Sequence, residues 1–301
     1  MYNRADCVLN CLESVAAENI GGGKVEHVLA DDGSTDNSVE VIENFIATHP
    51  DVKLVRLPYN KGTNAARNAA IAAATGEFVL FIDSDDRLAK NSISLIETTI
   101  LENPDYIHYL FGCDRVTELT SKYGKSHVFD FKDFLWGDVY CDFAHVIKRS
   151  TAVKLPFDEN LRIHEFVFHL RFYRLARKIL YNSDIVWITD DSRNDRVTFT
   201  TRKTNDRALR ESLLYTNLMI DFFKEDFMED ERGRSRLREL YEDKYKYSVL
   251  SGKYSDADAV PKTASPLAYR LVRYTHSGPL MWNAVKIAMR LKWRLKDILS
   301  R

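Results

Sequence analysis

Three carboxylates fall within four residues at Asp83, Asp85 and Asp86, directly after the apolar run Phe78-Val79-Leu80-Phe81-Ile82. Packed carboxylates repel one another unless a cation neutralises them. Mn2+ or Mg2+ suits such a cluster, because these ions take oxygen ligands, usually from only one or two protein carboxylates, and fill the rest of their shell with water and substrate phosphates. The same residues also read as an acidic turn capping the next helix through Asp86 or Asn91. The apolar run, bounded by Gly76, predicts a strand buried on both faces. In open α/β sheets ligands collect beyond the carboxyl ends of such strands, which is where these aspartates stand. A second short apolar strand, Val25 to Ala30, ends in Asp31-Asp32-Gly33-Ser34. Between the two acidic loops, Asn60-Lys61-Gly62-Thr63 forms a turn that opens an alanine-rich helix through Ala65-Ala66-Arg67-Asn68.

Taken together, these segments resemble the inverting family 2 glycosyltransferases of the GT-A fold. The resemblance rests on Tyr2-Asn3-Arg4, Asp31-Asp32-Gly33-Ser34, Asn60-Lys61-Gly62 with Ala66-Arg67-Asn68, Gly76-Glu77 and Asp83-Ser84-Asp85-Asp86, in that order. It implies a nucleotide-sugar donor, with Asp32 accepting from the base N–H and Tyr2 packing on the base. Asn3, Arg4, Asp31, Lys61 and Ser84 join the same nucleotide-binding set. By the same resemblance, Asp83 holds the ribose and contributes to the metal site, and Asp85 ligates the Mn2+ or Mg2+ that bridges the sugar diphosphate. Arg67 falls near the base and phosphates, where a charge-assisted contact is physically sensible; the alternative is an ordinary solvated helix cation.

Inverting transfer also needs a carboxylate to take the proton from the attacking acceptor hydroxyl. Pro156-Phe157-Asp158-Glu159, followed by Ile163-His164-Glu165-Phe166-Val167-Phe168, resembles the family's next signature, Phe-Asp-Glu, a spacer, then Glu-Asp at a helix start. The chain departs from it. If Phe168 and Leu170 set the register, Glu165 takes the base position; if Glu165 matches the family's Glu, Phe166 replaces the base. A carboxylate at a helix N-terminus is well placed, and one extra methylene can be absorbed by a small backbone shift, so Glu165 is the expected base. Asp158 and Glu159 are the reserve candidates or turn residues, and His164 is an assisting donor or a structural residue.

These residues need a scaffold, and the first third of the chain supplies the pattern for one. Helices near Cys7–Asn19, Asp36–Ala47, Gly62–Ala74 and Asn91–Glu102 alternate with strands at Val25, Val52–Leu57, Phe78 and Tyr106–Phe111. The alternation predicts an α/β fold of Rossmann-like, GT-A type, with a mostly parallel sheet flanked by helices. Residues 1–115 are expected to form the nucleotide-sugar half, 116–204 the acceptor half with the base, and 205–301 a C-terminal helical extension with periodic Leu209, Leu213, Leu214, Leu218 and Phe222. The polar stretch from Asp190 to Thr204, with Arg193, Arg196, Arg202 and Lys203, suits a loop that closes over the diphosphate, or an ordinary solvated loop. Relatives carry a first apolar strand ending in Pro-x-Tyr-Asn, whereas this sequence opens at Met1-Tyr2-Asn3. Each side chain such a strand buries contributes roughly 1.5–3 kcal/mol, against roughly 5–15 kcal/mol for a whole domain. The expectation is therefore that the first β-strand is missing here and that Met1 is an internal methionine.

With 45% hydrophobic residues and a net charge of −1 over 301 residues, the chain can bury a large core and shows no general bias toward nucleic acid. Cys7, Cys11, Cys113 and Cys141 match neither a Cys-x-x-Cys pair nor a zinc pattern, which fits a reducing, cytoplasmic compartment. No stretch reaches the roughly 18 apolar residues of a membrane span, and no signal peptide precedes Tyr2. Residues 281–299 mix large apolar side chains with Lys and Arg, which suits peripheral contact with the inner face of a membrane or an ordinary packing helix. The helical extension also offers a surface for a homo-oligomer.

The implied activity is metal-dependent, inverting transfer of a hexosyl group from a nucleotide sugar, UDP-linked by expectation, to a glycan or lipid-linked saccharide acceptor in bacterial surface-polysaccharide synthesis. A non-catalytic nucleotide-sugar-binding scaffold is the competing reading, suggested by the missing strand and the altered base motif. A sugar-phosphate nucleotidyltransferase of similar fold, which would carry a glycine-rich N-terminal loop bearing Lys or Arg, is the less favoured alternative.

Overall fold

The computed structural model describes residues 1–18, 25–114, 118–139, 141–162, 164–190 and 206–299, the side chains of residues 118 and 289–299 excepted. It divides into two compact units, Met1–Arg193 and Asn194–Arg301.

In the first unit, α1 (Val8–Glu18) buries Val8, Cys11, Leu12 and Val15, the i, i+3, i+4, i+7 stripe of a helix with one apolar face. That face meets β1 (His27–Asp31), α2 (Ser38–Ile46) and β2 (Val52–Arg56), where Leu12, Leu29, Ile42, Phe45 and Val52 form one cluster. β1 and β2 pair in parallel, His27 opposite Val52 through Asp31 opposite Arg56. Along the other edge of β1, the Met1 nitrogen donates to the Ala30 carbonyl (2.7 Å) and the Asp32 N–H donates to the Met1 carbonyl (2.8 Å).

After α3 (Thr63–Ala73) comes β3 (Phe78–Leu80), at the edge of a second, six-stranded sheet. The next elements are β4 (Arg87–Leu88), α4 (Ser92–Glu102), β5 (His108–Cys113), α5 (Glu118–Tyr123), β6 (Ser126–Asp130), α6 (Phe131–Leu135), β7 (Ala144–Lys148), α7 (Arg149–Ala152), α8 (Phe166–Ala176) and β8 (Lys178–Ile188). The order is β3-β7-β5-β8-β4, with β6 also on β8. β7 runs antiparallel to both β3 and β5, so those two point the same way, and β8 is parallel to β5. Of the antiparallel members, 126–130 and 144–148 lie beyond the alternating pattern of the first third, and the two-residue β4 at 87–88 falls within it, between the Phe78 strand and the next helix.

β5 is central and wholly buried, with Tyr109 and Phe111 packed against Ile96, Val146 and Val186. β3 is shorter than its apolar run predicts and only half-buried, because β7 pairs with it on one side and Phe81 and Ile82 leave the ladder for the acidic turn. Opposite, α3 and α8 close over the sheet through Ile71, Phe168 and Phe172 against Ile147.

The second unit begins with two long helices that pack together, α9 (Asp206–Met228) and α10 (Glu231–Leu250). Asp230 caps α10, its side chain accepting from the Gly233 N–H at 2.7 Å. On α9 the buried stripe is Leu209, Leu213, Thr216, Ile220, Phe223 and Phe227, at alternating four- and three-residue spacing. Leu214, Leu218 and Phe222 are half-buried on its flank. Then follow α11 (Tyr254–Asp258), a 3-10 turn (Lys262–Ala264), α12 (Leu267–Tyr274) and α13 (Gly278–Leu299).

Candidate active site

The acidic turn is held from behind by α1. The Cys11 thiol meets the Asp83 carbonyl at 3.8 Å, and the Leu88 N–H donates to Ser14 Oγ at 3.1 Å. Burial, together with the charges of Asp86, Asp83 and Asp85, pushes the Cys11 thiol up to about 12, so it is an inert packing group. Within the turn, Asp83, Asp85 and Asp86 each present a carboxylate oxygen within 4.8 Å of the others. Asp83 is exposed, Asp85 half-buried and Asp86 buried.

These three carboxylates are not equivalent. Both oxygens of Asp86 are engaged, one accepting from Trp187 Nε1 (2.9 Å) and the other from the Asp190 N–H (2.8 Å). Burial raises its carboxyl to about 6, with Asp83 and Asp85 pushing the same way against the two hydrogen bonds. Asp86 therefore ties the turn to the end of β8, and α4 receives its cap elsewhere. Glu18 of α1 accepts from the Asn91 and Ile93 N–H groups, while Asn91 stands at the N-cap with no side-chain capping bond. Asp83 and Asp85 remain to face a ligand, each beside an arginine. Arg67 reaches Asp83 at 3.4 Å and Arg4 reaches Asp85 at 3.9 Å. Such a set of hard oxygen donors at a strand end, with cations at its margin, fits a divalent ion that shares its shell with phosphates.

The loop after β1 is built mainly from its own hydrogen bonds. Asp31, buried, accepts from the N–H and hydroxyl of Ser34, whose Oγ accepts from the Asn3 N–H at 2.9 Å. Asn3, at φ 51°, also exchanges bonds with Thr35. Asp32, 3% exposed, accepts from the Lys61 N–H (2.7 Å) and the Gly62 N–H (2.8 Å), so it fastens the turn that starts α3. These bonds engage Asn3, Asp31 and Asp32 in tying the loops to one another. Lys61 extends its ammonium over the Tyr59 ring at 5.6 Å, and Tyr2 and Ser84 are half-buried at the rim. Gly33 permits the close approach of the loops: at φ +71°, a Cβ there would stand 2.6 Å from the Tyr59 carbonyl carbon.

α3 carries the link to the second signature. Asn64 donates to the carbonyls of Asp158 (2.9 Å) and Leu161 (2.6 Å), and Asn68 exchanges bonds with the Phe157 backbone while donating to the Glu159 carboxylate (3.1 Å). Asp158 accepts from the Asn160 N–H and side-chain amide, closing an Asx turn. Both reserve carboxylates are thus committed to the turn that precedes α8. Glu165 differs. It is the N-cap residue of α8 without a capping bond from its side chain, and its carboxylate is 38% exposed. It stands 3.8 Å from Arg67, whose guanidinium lies over the Phe157 ring at 5.5 Å and is 19% exposed. One arginine thus spans the acidic turn and the helix terminus, a contact hidden from sequence because 98 residues separate Arg67 from Glu165. Of the segment from Asp190 to Thr204, Asp190 is bound as above; Arg193, Arg196, Arg202 and Lys203 lie outside the described residues.

The α/β unit that carries this site has the fold of the GT-A glycosyltransferases. S. aureus TarS residues 1–349, solved with UDP-GlcNAc, superposes with a TM-score of 0.59 at 18% identity, covering 97% of this chain and 90% of that one. The mannosyltransferase PcManGT of Pyrobaculum calidifontis, in complex with GDP-Man and Mn2+, gives 0.58 at 16% identity, over 95% and 85%. By sequence, an uncharacterized glycosyltransferase of Haemophilus influenzae is 31% identical over 186 residues, 60% of this chain and 73% of that protein. The GalNAc(5)-diNAcBac-PP-undecaprenol beta-1,3-glucosyltransferase of Campylobacter jejuni is 25% identical over 181 residues, and the alignment spans 57% of its length. The glycosyl transferase family 2 model matches residues 1–176, and the chain belongs to that family of enzymes.

Proposed function

We propose that the enzyme moves a hexosyl group, with inversion, from a UDP-sugar to a hydroxyl of a glycan or lipid-linked saccharide, in bacterial surface-polysaccharide assembly on the cytoplasmic side of the membrane. The observation that carries this reading is the Arg67 bridge, which sets the donor-side acid Asp83 and the helix-borne acid Glu165 around one guanidinium. The relatives' names agree with it: TarS was solved with UDP-GlcNAc, and the Campylobacter enzyme is named for an undecaprenol-linked acceptor.

In this reading, Asp85 with Asp83 holds Mn2+ or Mg2+, which when bound neutralises the diphosphate of the leaving group. Arg4 and Arg67 flank those two acids and offer charge-assisted hydrogen bonds to phosphate oxygens. Tyr2 receives the base, while Asp32, buried and with both oxygens bonded to the Lys61 and Gly62 N–H groups, fixes the loop that shapes its pocket. Glu165 accepts the acceptor hydroxyl proton as its oxygen forms a bond to the anomeric carbon; the bond from that carbon to phosphate oxygen breaks, and the nucleoside diphosphate leaves with the electron pair. Glu165→Gln should lower kcat by about 100-fold or more while donor affinity, measured by calorimetry, stays near wild type. Wild-type turnover in that variant would remove Glu165 from the mechanism, and donor binding without turnover in the wild type would indicate a nucleotide-sugar-binding scaffold.

A further inference from the structure

α13 is gripped along one face. At its start, Gly278 lies so close to the end of α10 that a Cβ would fall 1.8 Å from the Val249 carbonyl oxygen. One turn on, Trp282 Nε1 and Lys286 Nζ both donate to Asp206 Oδ1, at 2.8 and 2.7 Å. The opposite face is bare: Leu280 is 72% and Ile287 58% exposed, with exposed Ala284 between them. The same apolar spacing continues in the sequence through Leu291, Leu295 and Ile298, interleaved with Arg290, Lys292, Arg294 and Lys296. α12 repeats the arrangement on a smaller scale. Tyr269 and Val272 pack on the cluster around Tyr245 and Val249, whereas Leu267, Leu271 and Tyr274, at i, i+4 and i+7, are 80%, 68% and 83% exposed.

Charge identifies the partner. Residues 267–301 hold eight Lys or Arg and one Asp, a net +7, so the other 266 residues of this chain of net charge −1 carry −8. A second copy docked face to face would bring +7 against +7, while an anionic surface would complement it. Among the described residues no helix is long and apolar enough to cross a membrane. An apolar stripe flanked by cations on such a helix lies in the plane of the lipid headgroups, where each cation adds attraction to anionic lipid. We propose that the outward face of α13, assisted by that of α12, docks on an anionic lipid bilayer. This surface is independent of whether the catalytic reading above is right.

The test is co-sedimentation of the full chain with vesicles of phosphatidylcholine alone and of phosphatidylcholine with phosphatidylglycerol, at low and high salt. The expected result is binding to the anionic vesicles only, weakened by salt. Leu280→Glu with Ile287→Glu should reduce the partition coefficient by about tenfold or more with an unchanged thermal melt, since both positions are exposed. Leu267→Glu with Leu271→Glu provides a second variant pair with a smaller expected loss. No binding to anionic vesicles, or equal binding to neutral ones, overturns the proposal. So does a lipid-free dimer in light scattering that the Leu280/Ile287 variant dissociates, because the face then belongs to a second copy.

Discussion

Mild acid should destabilise the first unit, and the cause lies in three histidines, one on the helix that presents Glu165 and two on neighbouring strands. His108 of β5, His145 of β7 and His169 of α8 come from different elements and meet with His108 buried and the other two half-buried. His108 Nε2 is 3.2 Å from His145 Nδ1, and the His145 and His169 rings stack at 3.9 Å with 18° between planes. Burial holds all three neutral: His145 is lowered to about 3, with Arg67 adding to the effect, and His108 and His169 lie well below the usual imidazole range. The unfolded chain titrates them near 6.5 and so binds the extra protons as pH falls. Stability from these groups is complete above that value and declines below it. Between about pH 7.5 and 5.5 each contributes a loss of about 1.4 kcal/mol, roughly 4 kcal/mol for the three, a large share of a typical domain's 5–15 kcal/mol. His27, lowered to about 4 by burial, acts in the same direction. Asp86 acts in the opposite one, since its carboxyl is raised to about 6 and the folded state takes up its proton first. Urea titration followed by circular dichroism at the two pH values measures the difference. His169→Phe, which removes a ring whose buried Nδ1 has no hydrogen-bond partner, should shrink the pH sensitivity by about a third. Equal stability at the two pH values, or a rise on acidification, would refute the reasoning.

Three substitutions probe the scaffold of the site. Gly33→Ala combines a positive φ with a Cβ 2.6 Å from the Tyr59 backbone, so it should cost about 2 kcal/mol or more and weaken donor affinity, as seen by thermal melt and calorimetry. Asn64→Ala removes two hydrogen bonds to the turn before α8 and should cost about 1–3 kcal/mol, with kcat falling more than donor affinity as Glu165 loses its fixed position. Arg67→Lys keeps the charge but cannot span Asp83 and Glu165 with one planar fork; kcat/KM is expected to fall about tenfold or more, and an unchanged value would show that the bridge is dispensable.

What could be read in the sequence was local. The acidic turn and the Asp31–Ser34 loop announce themselves because a strand, its terminal carboxylates and the following turn are contiguous. Arg67 could be marked as a phosphate-side cation, but not as the partner of Glu165, since the two meet only when α3 and α8 close over Ile147. The side chains of Asn3 and Asp32 accept from backbone N–H groups 29 to 32 residues away in sequence, which side-chain types do not reveal. The histidine stack left no trace either, as single histidines on three separate elements carry no spacing signal. The antiparallel strands β6 and β7 fall where the βα alternation has ended, and on α9 the fold buries Leu209, Leu213 and Ile220 while the equally apolar Leu214 and Leu218 stay half-buried.

The central claim is that Asp85 and Glu165 belong to one catalytic site that uses a metal and a nucleotide sugar. Release of nucleoside diphosphate from a panel of nucleotide sugars, with and without Mn2+, by wild type, Asp85→Ala and Glu165→Gln, tests it most directly. The account predicts Mn2+-dependent release from a UDP-sugar in the presence of a glycan acceptor, lost in both variants, with donor binding lost only in Asp85→Ala. Release that persists in Asp85→Ala, or that does not need the metal, would contradict it.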